Sequence, residues 1–154
     1  MNPRTMSLVK NNYSTVHFIE LPLSHKMAIV WFMAVDGEAW EIFDSSPSSF
    51  NELKLSIKNL MHRYDEKYGS TTWSIIDLDV KSIKNAIMSD PEISHFNSWD
   101  EYHYDYLSCD TPFHSPDNRW PIILSDNDEE TIRDGWHRFH SYVRNGDKII
   151  PAIF

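Results

Sequence analysis

The chain has 154 residues, is 41% hydrophobic and 14% aromatic, and carries a formal net charge of −9 at pH 7. This composition excludes a disordered chain, and the length suits one domain, or one domain with a structured extension. The single cysteine, Cys109, excludes an internal disulfide framework and favours a reducing compartment. A polar start and short apolar runs predict a cytoplasmic protein without a membrane partner.

The first seventy residues are predicted to form a hairpin and a covering helix. Asp36-Gly37 is a strong two-residue turn signal between apolar runs. Apolar positions from Phe50 to Tyr64 recur at helical spacing, and Gly69 is placed to stop that helix. The predicted elements are a strand at 16–21, hairpin strands at 26–35 and 38–43, and a helix from Ser48 or Ser49 to about Tyr68.

The second half is predicted to alternate strands and helices. Ser98 is the expected cap of a helix that carries Trp99, Tyr102 and Tyr106. The mixture favours the α+β class, with an extension at 1–70 and a core at 71–154. The predicted elements are a strand at 73–80, a helix at 81–88, a helix from 99, a loop at 110–120, strands at 121–124 and 131–133, a helix from 136, and a strand at 149–154.

The charge is concentrated in one segment. Residues 89–134 hold twelve acids and two bases, which leaves +1 for the rest of the chain. Direct nucleic-acid binding there is disfavoured, because phosphate attraction needs clustered Lys and Arg. The segment is interpreted either as a solvated surface or as an acidic face that imitates a nucleic-acid backbone and binds a protein partner.

The sharpest functional pattern is the five-residue sequence from Asp134 to Arg138. It joins a predicted strand to a predicted helix through Gly135, and it places His137 and Arg138 in the first helical turn. Backbone N–H groups and the helix dipole favour an anion at such a terminus. The sequence therefore predicts a phosphate-binding corner.

Four features occur in order along the end of the chain: Trp-Pro-Ile-Ile-Leu at 120–124, Ile-Arg-Asp-Gly-Trp-His-Arg at 132–138, Gly146, and Ile-Pro-Ala-Ile at 150–153. Through them the chain resembles the ParB/sulfiredoxin-like superfamily over roughly residues 73–154. Members of that superfamily hold nucleotide phosphates at this corner, and they include CTP-binding partition proteins, ATP-dependent sulfiredoxins and an ADP-dependent kinase of free serine. The resemblance implies a mixed sheet with helices, preceded here by the hairpin and helix extension.

By the same resemblance, the candidate ligands are a nucleotide (ATP, ADP or CTP) and Mg²⁺. Gly135 would permit close approach of phosphate, and Trp136, His137 and Arg138 would contact the bound molecule. The reactive cysteine of sulfiredoxins is replaced by Trp136, so sulfinic-acid repair is not expected. The glutamate of the partition-protein corner is missing as well.

Each site residue also has a structural interpretation. Asp134 is a candidate general base or magnesium ligand, or the N-cap of the helix. Arg138 is a phosphate ligand or one half of a surface ion pair, and His137 is a proton donor or a brace of the corner. Trp136 stacks on a base or packs in the core. The spacing of His137 and His140 resembles that of metal ligands, but packing is favoured and no protein metal site is predicted.

These patterns lead to one leading hypothesis and two alternatives. The leading hypothesis is binding of a nucleotide or phosphorylated small molecule, with phosphoryl transfer or nucleotide hydrolysis that uses Asp134 and His137. The first alternative is a non-enzymatic acidic interaction protein, such as a phage or mobile-element inhibitor that mimics nucleic acid. The second is a nuclease, against which the acidic surface argues.

Overall fold

The computed structural model describes residues 2–10, 12–35, 50–108 and 119–154. Within these residues the protein is α+β, with six α-helices and a five-stranded mixed sheet of strand order β1-β2-β5-β3-β4. The helices are α1 (Pro3–Val9), α2 (Leu23–Val35), α3 (Phe50–Tyr68), α4 (Val80–Ile87), α5 (Trp99–Ser108) and α6 (Trp136–Asn145). The strands are β1 (Ser14–His17), β2 (Thr72–Asp79), β3 (Ile122–Leu124), β4 (Ile132–Asp134) and β5 (Ile149–Ile153).

Contacts divide the chain into two compact units. The core unit comprises Met1–Ser14 and Ser74–Phe154, and the insert unit comprises Thr15–Trp73. The sequence places residues 1–70 together in an extension, whereas this grouping assigns α1 to the core unit. The signal for α1 is local: Asn2 accepts a hydrogen bond from the Thr5 amide, and Pro3 occupies the first helical position.

β5 lies at the centre of the core unit's sheet. It pairs antiparallel with β2 and parallel with β3, and β4 pairs antiparallel with β3. Strands in this position are buried on both faces, which explains the continuous apolar runs. The hydrophobic core joins the strands to the helices, and its members include Leu78, Ile83, Ile87, Tyr102, Ile122, Leu124, Ile132, Phe139, Tyr142, Ile150 and Ala152.

Side-chain caps mark where two helices of the core unit begin, and the cap at Ser98 is the one that the sequence predicts. Asp79 accepts a hydrogen bond from the Ser82 amide at 3.0 Å and starts α4. Ser98 accepts one from the Glu101 amide at 3.2 Å and starts α5. α6 ends at Gly146, whose φ of 82° is a left-handed value that glycine adopts without strain.

The predicted hairpin is wrong in its first strand, because residues 26–35 form most of α2. A continuous apolar run does not distinguish a strand from a buried helix, and here Met27, Ala28, Ile29 and Val30 are all buried. The turn at Asp36-Gly37 and the second strand at 38–43 lie outside the described residues. The strand predicted at 16–21 is shorter than expected, since a 3₁₀ turn at Phe18–Glu20 follows β1.

The helix predicted to end near Tyr68 is confirmed as α3. Lys26 of α2 and Asp65 of α3 form an ion pair at 2.6 Å inside the insert unit. Among the described residues, no helix is both long and apolar enough to cross a membrane.

Candidate functional site

The Asp134–Arg138 corner forms as a tight join between β4 and α6. Gly135 is the N-cap residue of α6 and has a φ of 100°, a conformation that L side chains rarely adopt. Because the N-cap residue is a glycine, it makes no side-chain hydrogen bond to the first turn of α6, and we call this helix start uncapped. Asp134 is therefore not the N-cap. The corner has the uncapped helix start that an anion site requires.

The buried side chain of Arg138 stabilises this corner through hydrogen bonds. Its side chain is 3% exposed, and its guanidinium donates to Asp134 Oδ2 at 3.0 Å and to the Pro121 carbonyl at 3.2 Å. A Cβ atom placed on Gly135 would lie 2.8 Å from one Arg138 nitrogen. The guanidinium also lies 5.9 Å from the centre of the Trp120 ring. Arg138 thus ties α6 to β4 and to the residue before β3.

A cavity of about 430 Å³ adjoins the start of α6. Trp136 and His137, the first two residues of α6, contribute to its wall. The rest of the wall combines apolar or aromatic side chains with carboxylates. These residues are Asp90, Glu92, Ile93, Phe96, Tyr102, Tyr106, Glu129 and Glu130.

The wall of this cavity is strongly acidic. It has four carboxylates, and within the described part of the chain no Lys or Arg lines it. Asp90 is buried and accepts hydrogen bonds from the Thr131 amide and hydroxyl at 3.0 and 2.6 Å. Burial raises the pKa of Asp90, while Thr131 and Arg4 oppose that shift. A bare anion would meet repulsion here, which a divalent cation would relieve.

Histidine and tyrosine side chains connect α5 with α6 beside the cavity. His103 Nδ1 lies 2.6 Å from His140 Nδ1, with ring planes 5° apart. The Tyr106 ring stacks on His140 with centroids 3.6 Å apart. The Tyr106 hydroxyl is hydrogen-bonded to His137 Nδ1. We name these four side chains the His–Tyr ladder.

Burial sets the protonation of the ladder. Burial is the largest effect on the pKa of His137 and lowers it. Asp134 opposes this shift, and Arg138 adds to it. Burial, followed by the nearby His103 and His137, lowers the pKa of His140 to about 3. Burial also lowers the pKa of His103. All three imidazoles are accordingly neutral at pH 7.

The acidic turn between β3 and β4 is anchored by the N-terminal segment. The Asn2 side chain donates to the Ser125 carbonyl at 3.3 Å and to the Glu130 carbonyl at 3.1 Å, and also to that of Asn127. Arg4 donates to the Asp128 carbonyl and forms an ion pair with Asp90 at 3.0 Å. The contacts with the turn itself use its backbone carbonyls. The side chains of Asp126, Asp128 and Glu129 remain exposed.

The structure brings the predicted residues together in two sets. Trp136 and His137 line the cavity, whereas Asp134 and Arg138 pair with each other. Direct contact of Arg138 with phosphate stays a prediction, as does catalysis by Asp134. Trp136 also packs against the hydrophobic core, as its structural interpretation expects, and stacking of Trp136 on a base stays a prediction.

Sequence reasoning missed Tyr106 and His103 as neighbours of the site. Their spacing carried a usable signal, because His103 and Tyr106 are three residues apart and so are His137 and His140. Residues three apart share a helical face. Two helices with matching pairs can therefore meet along them, as α5 and α6 do.

Within the described ranges, no group of three or more His, Cys, Asp or Glu side chains is arranged to hold a metal ion. His140 is hydrogen-bonded to His103, and His137 is hydrogen-bonded to Tyr106. Cys109 and His114 lie outside the described residues. Comparison with protein-family models, with curated proteins and with solved structures finds no match to this chain.

Proposed function

We propose that the protein binds a nucleotide or another phosphorylated small molecule at the Asp134–Arg138 corner. The observation that carries the proposal is the uncapped start of α6, whose first two residues line a cavity of about 430 Å³. A cavity of this size lies within the usual range for small-molecule sites. Helix N-termini favour phosphate through their N–H groups and dipole. The resemblance to the ParB/sulfiredoxin-like superfamily agrees with this assignment.

The side chains around the cavity define what each part of a nucleotide would contact. The phosphate would lie at the α6 terminus, with His137 as a hydrogen-bond donor. The base would lie among the aromatic side chains of the wall. Trp136 belongs to the corner itself, and Tyr106 is hydrogen-bonded to its histidine, His137. Arg138 would act indirectly, because its guanidinium is already engaged with Asp134 and Pro121.

The carboxylates around the cavity fit a magnesium–phosphate complex better than a bare phosphate. Mg²⁺ commonly binds through one or two carboxylates together with substrate phosphates and water. Glu92 and Glu129 line the cavity and are exposed, so either can contribute a carboxylate oxygen. When bound, the ion would neutralise charge on the phosphoryl oxygens. We therefore expect nucleotide binding to depend on Mg²⁺.

Phosphoryl transfer or nucleotide hydrolysis is the chemistry that we propose for this site. The α6 N-terminus would stabilise negative charge that develops on the phosphoryl oxygens. Asp134 and His137 are the proposed groups for proton transfer. His137 is the better placed of the two, since it lines the cavity while Asp134 pairs with Arg138.

Calorimetric titration of the full chain with ATP, ADP and CTP, with and without Mg²⁺, tests the proposal. We expect binding with Mg²⁺ and weaker binding without it. His137→Leu should weaken affinity roughly fivefold or more, because one donated hydrogen bond to a charged group is lost. The control is His62→Leu, which changes an exposed histidine on α3. Equal affinities of these two variants, or no binding of any nucleotide by wild type, would contradict the proposal.

The anchored acidic turn favours a second candidate function, that of a non-enzymatic interaction protein. Asp126, Asp128 and Glu129 project from a turn whose backbone Asn2 and Arg4 hold. Such a face would bind a basic, nucleic-acid-handling protein and release it as salt rises. Reversal of these three charges to Lys should abolish that binding, whereas His137→Leu should leave it intact. Glu130 is kept in the variant because it accepts a hydrogen bond from Asn127 at 3.0 Å.

A further inference from the structure

We infer that the Tyr106 hydroxyl fixes His137 in the tautomer that carries its proton on Nε2, so that His137 presents a neutral N–H donor to an anion. Tyr106 is then a positioning residue for the site. The functional part of this inference rests on the proposed function, because it assumes that an anion binds beside His137. The tautomer itself is independent of any ligand.

The hydrogen bond between Tyr106 and His137 Nδ1 carries the inference. A phenol hydroxyl is a better proton donor than acceptor, and the unprotonated nitrogen of a neutral imidazole is a strong acceptor. Tyr106 therefore donates and Nδ1 accepts. A neutral imidazole has one N–H, so the proton must be on Nε2.

The rest of the ladder explains why Tyr106 keeps this orientation. Its ring lies flat on the His140 ring, with planes 7° apart. His140 is in turn fixed by His103, since the 2.6 Å distance between their Nδ1 atoms corresponds to an N–H···N hydrogen bond. Two side chains, His140 directly and His103 through His140, thus orient the hydroxyl that reaches His137.

The tautomer determines which class of ligand the cavity accepts at His137. With the proton on Nε2, the ring donates to phosphate, sulfate or carboxylate oxygens. With the proton on Nδ1, the ring would offer a lone pair and favour a ligand that donates. A donor matters here because four carboxylates line the same cavity and contribute only acceptors when ionised. Burial lowers the pKa of His137, which keeps the ring neutral at pH 7.

Nitrogen-15 NMR of the ligand-free full chain tests the tautomer directly. The imidazole ¹⁵N shifts distinguish a protonated from an unprotonated nitrogen, and loss of one signal set in His137→Gln assigns the residue. We expect Nδ1 of His137 to be unprotonated in wild type and a mixture of tautomers in Tyr106→Phe. That substitution keeps the ring that stacks on His140 and removes only the hydroxyl. A proton on Nδ1 in wild type, or the same tautomer in Tyr106→Phe, would overturn the inference.

Tyr104→Phe is the matched control, because Tyr104 lies on α5 as well and is 78% exposed. It should leave the His137 tautomer and the ligand affinity unchanged. Tyr106→Phe should weaken Mg²⁺–ATP binding about twofold, because an equal mixture of tautomers halves the fraction of His137 that can donate. If wild type bound no nucleotide while the NMR result held, the proposed function would fail and the tautomer assignment would stand. If nucleotide bound but Nδ1 carried the proton, only the inference would fail.

Discussion

The buried imidazole of His140 predicts how the protein responds to acid. His140 is fully buried, and its pKa is lowered to about 3 by burial and by the neighbouring His103 and His137. In the unfolded chain the pKa returns to about 6.5. Because the folded value is the lower one, the unfolded state takes up a proton first as pH falls. The stability that His140 contributes is present at pH 7 and is lost progressively from about pH 6.5 down to about pH 3.

The size of the loss follows from the width of that window. Each pH unit below the unfolded pKa of about 6.5 removes about 1.4 kcal/mol from the free energy of unfolding. At pH 5, about 1.5 units lower, the loss is therefore about 2 kcal/mol. The assay is urea unfolding at pH 7 and at pH 5, followed by tryptophan fluorescence. His140→Phe keeps an aromatic ring beside Tyr106 and Trp99 but removes the titration. We expect this variant to lose about 2 kcal/mol less than wild type between the two pH values.

A matched variant separates this effect from general histidine titration. His62→Phe changes an exposed histidine on α3 and should retain the pH dependence of wild type. The reasoning is refuted if His140→Phe and wild type lose the same free energy between pH 7 and pH 5. It is also refuted if wild-type stability does not fall over that interval.

Three further predictions concern the corner and its anchors, each measured by urea unfolding. Gly135→Ala should lower the free energy of unfolding more than Gly146→Ala. Both positions need a left-handed conformation that costs alanine about 1–3 kcal/mol, but only at Gly135 would the added Cβ atom clash with Arg138. Equal costs would show that the contact is irrelevant. Arg138→Met should lower the free energy of unfolding by about 3 kcal/mol, since it removes one partner of a buried ion pair. A loss below about 1 kcal/mol would show that Arg138 does not tie α6 to β4. Asn2→Ala should cost about 2 kcal/mol and increase amide exchange in the 125–130 turn, because it loses a helix cap and the bonds to that turn. Unchanged exchange there would contradict the anchoring.

The sequence anticipated most of the core unit because its signals are local. Gly135 and Gly146 bound the final helix as expected, and Ser98 caps α5 as predicted. Helix caps and left-handed glycines act within a few residues, so their effect can be inferred without tertiary information. The error at residues 26–35 arose because burial on most sides removes the periodicity that separates a helix from a strand.

The candidate site was only partly accessible to the same reasoning. The sequence placed Trp136 and His137 near the start of a helix, and in the structure they begin α6 and line a cavity. It could not show that Arg138 faces inward, because the carbonyl of Pro121 that binds it is 17 residues away. The pairing of α5 with α6 likewise depends on packing between segments distant in the chain. Local rules contain no information about such partners.

The most direct test of the central claim is a titration of ¹⁵N-labelled full chain with Mg²⁺–ATP, followed through its amide resonances. We predict that the largest saturable chemical-shift changes occur at the amides of Trp136, His137 and Arg138, at the start of α6. Inorganic phosphate should move the same amides at higher concentration, because it offers the charge without the base. Saturating Mg²⁺–ATP that leaves these amides unmoved, or that shifts only residues away from the cavity, would contradict the claim.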